Sequence, residues 1–162
     1  MKLVEPRRKM IIGKPNAPVE CIAFSISPDL QAMAFATKDG VLLYKSKNII
    51  TDSCKESTIS EKQLLRYIKF FVDPNTSNVG LYLASSSTIN CIPNIQKESK
   101  KKLGQQGSYK LFEVNEKGEL IVITENNQIV SFHPTNEKAN AWPYDEDKTV
   151  RLGLYITNSL DH

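Results

Sequence analysis

The chain has 162 residues, 40% of them hydrophobic and 24% charged, a balance that suits one globular domain able to bury a real core. Twenty-one Lys and Arg against eighteen Asp and Glu leave a formal charge of +3, far from the dense basic footprint of a dedicated nucleic-acid binder. Three cysteines, Cys21, Cys54 and Cys91, are odd in number and widely spaced, which fits neither a disulfide framework nor a CxxC-type metal site and predicts free thiols in a reducing compartment.

The first residues, MKLVEPRRKMIIGKP, are broken by charge and proline before an apolar signal region can form. No stretch approaches 18 consecutive apolar residues, so a cytosolic, soluble protein with at most peripheral membrane contact is expected. From Val19 the chain reads VECIAFSISPDLQAMAFATKDGVLLYKS: strand, polar turn (Ser25 to Asp29), strand, tight turn (Lys38-Asp39-Gly40), strand. STISEKQLL, Ser57 to Leu65, carries a serine suited to an N-cap and predicts one helical turn. From Arg66 the pattern returns as RYIKFFVDPNTSNVGLYLASSSTINCIP, with turns at Asp73 to Asn78 and Ser85-Ser86-Ser87. KESKKKLGQQG, Lys97 to Gly107, sets four lysines against one glutamate and reads as a charged connecting loop. A third round, YKLFEVNEKGELIVITENNQIVSFHP, starts at Tyr109 and turns at Asn115 to Glu119 and Glu125-Asn126-Asn127. After WPYDEDKT, the run RLGLYITNS, Arg151 to Ser159, opens a partial fourth.

The rounds are internal copies at about 19–52, 65–97 and 108–138, with a partial one from 150; Ala36, Ala84 and Thr124 are taken as equivalent positions. Their turns are rich in Gly, Pro, Asn, Asp and Ser, and Asp-Gly and Asn-Asn tolerate the positive φ that short hairpins need. The middle strands AMAFA, VGLYLA and LIVI are nearly continuous apolar runs, which predicts burial on both faces. All-β copies with three to four short strands predict a partial WD40-like β-propeller of about three to four blades; a β-sandwich or open barrel is the alternative. Closed rings hold 4–8 blades, so a ring that stops early leaves the apolar face of a terminal blade in water. A fragment of a longer propeller is therefore expected, with a partner over the open side or an unusually small ring as the alternatives.

The run KMIIGKPNAPVECIAFSISPDLQAMAFATKDGVLLYKSKNIITD resembles the N-terminal β-propeller of the vacuolar protein sorting-associated protein eleven family, class C core subunits of the HOPS and CORVET endolysosomal tethering complexes. The resemblance lies in Gly13-Lys14-Pro15 leading into Val19-Glu20-Cys21-Ile22-Ala23, then Asp39-Gly40-Val41 and Ile50-Thr51-Asp52. It continues in the same order through IKFF, LYLASSSTINCI and ELIVITENNQIVSFHPTNEKANAW, over nearly the whole chain. The α-solenoid and RING zinc module of that family are absent from this sequence, and no CxxC pair is present. The resemblance implies a non-enzymatic protein-interaction module in vesicle-mediated transport to the vacuole or lysosome. It implies other tethering-complex subunits as partners, and a cytoplasmic location peripheral on endosomal and vacuolar membranes through the complex. A generic WD40-like scaffold in an unrelated complex is the alternative.

Catalytic chemistry finds little purchase. His133 in SFHPT would have to carry any Cys/His or Ser/His/Asp site alone, since His162 is the other histidine. Gly13-Lys14-Pro15 lacks the context of a phosphate loop, and YDEDK, Tyr144 to Lys148, lacks the spacing of a calcium loop. No catalytic residue, metal, cofactor, small-molecule substrate or nucleic acid is expected. Cys21 and Cys91 are read as small buried hydrophobes in strands and Cys54 as an exposed loop thiol. The binding candidates are Lys100, Lys101 and Lys102, which could face an anionic membrane, and Trp142 with Tyr144, an aromatic pair suited to an interface.

Overall fold

The computed structural model describes residues 13–14, 17–18, 20–103 and 107–141, and every regular element among them is a β-strand. Gly13–Lys14 (β1) and Ala17–Pro18 (β2) form a short antiparallel ladder. Sheet 1 contains Ala23–Ile26 (β3), Ala32–Thr37 (β4), Gly40–Lys45 (β5) and Lys55–Ile59 (β6). Sheet 2 contains Tyr67–Val72 (β7), Val79–Ala84 (β8), Ile89–Ile92 (β9) and Lys101–Leu103 (β10). Sheet 3 contains Tyr109–Val114 (β11), Leu120–Thr124 (β12), Ile129–His133 (β13) and Asn136–Ala141 (β14). Each is an antiparallel meander in which strands follow one another in chain order.

Three strands of each sheet are those read from the copies, and a fourth completes it. The fourth strands KESTI and KKL are polar and sparsely buried, so they carry no apolar signature. The helical turn expected from Ser57 does not form: Ser57, Thr58 and Ile59 pair with Leu43, Leu42 and Val41 in the β5–β6 ladder. The charged run after Lys97 is likewise not all loop, since Lys101, Lys102 and Leu103 pair with Cys91, Asn90 and Ile89. The partial copy from 150 lies outside the described residues.

The turns repeat as closely as the strands. At the end of each first strand, the side chain of Ser27, Asp73 or Asn115 accepts a backbone N–H bond from the turn that follows, donated by Gln31, Asn75 and Lys117 respectively. Each of these turns contains one left-handed residue, Leu30, Ser77 or Gly118. Before each tight turn a hydroxyl residue binds into the loop: Thr37 Oγ1 donates to the Gly40 carbonyl, Ser85 Oγ accepts from the Thr88 N–H, and Thr124 Oγ1 accepts from the Gln128 N–H. Thr37, Ser85 and Thr124 are therefore the equivalent positions. The partner of Ala36 and Ala84 is Ile123, not Thr124, as the cross-strand pairs Ala36–Val41, Ala84–Ile89 and Ile123–Ile129 show. The third tight turn has one extra residue, which displaces the alignment by one position and would otherwise turn every side chain to the wrong face.

The sheets stack face on face. Alternation within each strand sends Ala32, Ala34, Ala36, Val41 and Leu43 of sheet 1 against Ile68, Phe70, Leu81, Leu83 and Ile92 of sheet 2. The opposite face of sheet 2, with Phe71, Tyr82, Ala84, Ile89 and Cys91, packs on Phe112, Leu120, Val122 and Phe132 of sheet 3. Sheet 2 is thus buried on both faces, as the unbroken run in β8 requires. The face a sheet turns to its successor is its leading face and the other its trailing face. Alanines on the leading face of β4 let the sheets close over the larger residues opposite.

Polar groups pin each contact. Ser25 Oγ accepts a 3.1 Å hydrogen bond from the Phe70 N–H across the first, and the buried Tyr82 hydroxyl donates a 2.6 Å bond to the Gly118 carbonyl across the second. Gly118 has φ +75°, and a Cβ there would come within 2.9 Å of the Val72 carbonyl of sheet 2. Gly80 leaves the space occupied by the Phe71 ring, which stacks on Tyr82 with centroids 4.3 Å apart.

Leu83→Ala, which empties a fully buried site between sheets 1 and 2, is expected to cost about 2–5 kcal/mol in urea unfolding. Tyr82→Phe, which leaves the Gly118 carbonyl without its donor, is expected to cost about 1–3 kcal/mol by the same measurement.

Candidate functional site

The trailing face of sheet 1 is apolar, and the described chain covers only its outer half. Phe24 and Phe35 are direct cross-strand partners with rings 6.3 Å apart, and Phe35 meets Tyr44 edge-on at 5.9 Å. Ile26 pairs with Met33 alongside them, and Leu42 stands opposite Phe35. The β5–β6 connection folds Ile49 and Cys54 over Met33 and Tyr44, closing the outer half. The inner half stays open: Phe24 is 64% exposed and Ile26 48%, with Ile22 exposed next to them in sequence. Beyond Leu42 and Tyr44 the face turns polar, because their partners on β6 are Thr58 and Glu56. A contiguous apolar surface with a polar margin is the usual form of a protein-binding site.

The lysines do not converge on such a site. Lys100 Nζ donates to the Ser60 carbonyl at 3.0 Å and pairs with Glu61 at 2.8 Å, reaching back past the end of sheet 1. Lys101 Nζ donates to the Pro134 carbonyl at 3.0 Å, reaching forward to sheet 3. Lys102 is exposed on β10. The same segment holds Glu98, in a left-handed conformation, which pairs with Lys45 and accepts a 2.9 Å bond from Ser57 Oγ. Lys45 also donates to the Ile95 carbonyl at 3.2 Å. Residues 95–101 therefore act as a clamp on both neighbouring sheets, with two of the three candidate ammonium groups engaged in it. Trp142 and Tyr144 lie outside the described residues, as does the acidic run 144–148.

Other groups show no concerted chemistry. His133 Nδ1 lies 2.6 Å from Thr135 Oγ1 and accepts from the Thr135 N–H, a local turn at the end of β13. Among the described residues no group of three or more His, Cys, Asp or Glu could hold a metal ion. No helix among them is long and apolar enough to cross a membrane. Cys91 is buried, and burial pushes its thiol up to about 12, which keeps it protonated and unreactive. The other two cysteines exchange their expected places: Cys21 precedes β3 and is exposed, while Cys54 is half-buried against the Met33, Tyr44 and Ile49 cluster. The phenols of Tyr67 and Tyr82 are raised, chiefly by burial, and stay neutral.

The hydrogen bond from Lys45 holds the Glu98 carboxyl below the usual glutamate range, against a smaller opposing effect of burial. The folded chain thus takes up this proton less readily than the unfolded chain. The clamp's stabilisation is complete above the ordinary glutamate range and is lost as pH falls through the depressed value. Glu98→Gln should cost about 1 kcal/mol at neutral pH, in line with a partly exposed pair. The difference from the parent should shrink below about pH 4, measured by thermal unfolding across pH.

No protein-family model matches this chain, and no curated protein sequence matches it.

Proposed function

We propose that the chain is part of a β-propeller that serves as a non-enzymatic docking platform in an endolysosomal tethering assembly. The observation that carries the propeller reading is the stack of three antiparallel four-stranded meanders, each burying an apolar face on the next. The first strands of the sheets are neighbours, β3 beside β7 and β7 beside β11, as strands around a common axis would be. In a two-layer sandwich one sheet would not be covered by sheets on both sides, as sheet 2 is.

The tethering reading rests on the order of residues that resemble the family named above. Cys21 and Ile22 lead into β3, which starts at Ala23; Asp39 lies in the β4–β5 turn and Gly40 opens β5; and Ile50-Thr51-Asp52 lies in the β5–β6 connection. A rigid platform binds partner segments with little loss of conformational freedom, and several weak contacts on one assembly reinforce each other through effective concentration. Since Lys100 and Lys101 are engaged between sheets, attachment to endosomal or vacuolar membranes would run through the complex and not through a lysine patch.

Affinity purification of the tagged full chain from its own cells tests the reading. Recovery of class C tethering subunits is expected, and recovery of ribonucleoprotein or cytoskeletal partners in their place would favour a generic scaffold and overturn it.

A further inference from the structure

Strand pairing gives positions on the open face of sheet 1 their counterparts in sheets 2 and 3. With Ala36, Ala84 and Ile123 aligned, Phe24 of sheet 1 corresponds to Ile68 of sheet 2 and Phe112 of sheet 3. Ile68 and Phe112 are 3% and 8% exposed because a preceding sheet covers each, whereas Phe24 is 64% exposed. Met33 corresponds to Leu81 and Leu120, and Phe35 to Leu83 and Val122, all four of them fully buried against a leading face. The trailing face of sheet 1 thus repeats, position for position, two surfaces that each receive a sheet in this molecule.

We propose that this face is a docking surface for one further antiparallel β-sheet, carried by a partner polypeptide. That sheet would present a leading face of small and branched apolar residues, like the alanines of β4 with Val41 and Leu43. The contact between sheets 1 and 2 is the precedent for this occupant, whereas at the second contact sheet 2 turns Phe71 and Tyr82 along with Ala84 to sheet 3. Large residues such as Phe70 and Leu83 accept small ones from the sheet before them, and Phe24, Ile26 and Phe35 form an equally bulky surface awaiting the same complement. A second copy of this chain offers less, because the corresponding leading positions of sheet 3, Ile121 and Ile123, are 4% and 3% exposed and so not free to pair. A lipid surface would favour basic residues around the patch, whereas its polar margin carries Thr58 and Glu56. The inference deepens the platform reading and rests on its stack of sheets, independently of the tethering assignment.

The test supplies the missing complement directly. A second copy of residues 20–60 is joined ahead of Met1 of the full chain by a flexible glycine-serine linker, long enough to span the molecule. Docking is expected to add strand signal in circular dichroism and to slow amide exchange over Phe24 to Ile26 and Met33 to Phe35 at least tenfold. Binding of anilinonaphthalene sulfonate should fall at least threefold. Phe24→Asp with Ile26→Asp on the receiving sheet, or Ala34→Asp on the added one, should abolish these changes. An added sheet that folds without protecting Phe24 overturns the proposal. So does one that stays unfolded, because in a stacked repeat a matching neighbour is what makes a unit fold. Dimerisation of the parent chain in light scattering, or its capture by phosphatidylserine vesicles, would also overturn it where Phe24→Asp abolishes the effect. Failure here leaves recovery of tethering subunits unaffected, and failure of that recovery leaves sheet docking standing.

Discussion

A four-stranded sheet whose middle strand is apolar on both sides cannot hide itself. It needs a neighbour on each face, and that requirement organises this molecule. Sheet 2 meets it fully, with Leu81 and Leu83 turned to one neighbour and Tyr82 and Ala84 to the other. The alternation of side chains along β8 therefore translates directly into the serial order of the sheets. Size complements size at the first contact, where alanines of β4 face phenylalanine, leucine and isoleucine, and at the second Gly80 makes room for the ring of Phe71.

Apolar stacking alone would let the sheets slide, since such contacts have little directional preference. Direction comes from polar contacts at the rims. Ser25 to Phe70 and Tyr82 to Gly118 fix the inner and middle strands, and the Lys45–Glu98–Ser57 group with Lys100 and Lys101 fixes the outer edge. The charged run that looks like surface decoration in the sequence is a fastening, and its left-handed Glu98 shapes the connection that lets one short segment reach two sheets.

What could be read in the sequence follows from where apolar signal and turn chemistry coincide. The runs AMAFA, VGLYLA and LIVI located β4, β8 and β12 because burial on two faces leaves an unmistakable pattern, and the Asp, Asn, Ser and Gly turns beside them marked the strand on either side. KESTI and KKL were hidden because an outer strand meets water along one edge and tolerates lysine, glutamate and serine. The equivalence of Ile123 with Ala84 was hidden by a single additional turn residue. The roles of Lys45 and Glu98 were hidden by their separation along the chain, since a pair formed between sheets has no local signature. The position of Phe24 was legible only in part: its alternation marks a strand, but nothing within one strand says which face lacks a neighbour.

Serial stacking also governs the order in which the structure comes apart. Sheet 1 touches the rest of the described chain through its leading face, so heat, denaturant or mechanical pulling should detach it before sheet 2, whose release requires two contacts to open. Each detachment bares a fresh apolar surface on the sheet beneath. Damage at that end would therefore travel inward, much as unzipping proceeds from a free tooth.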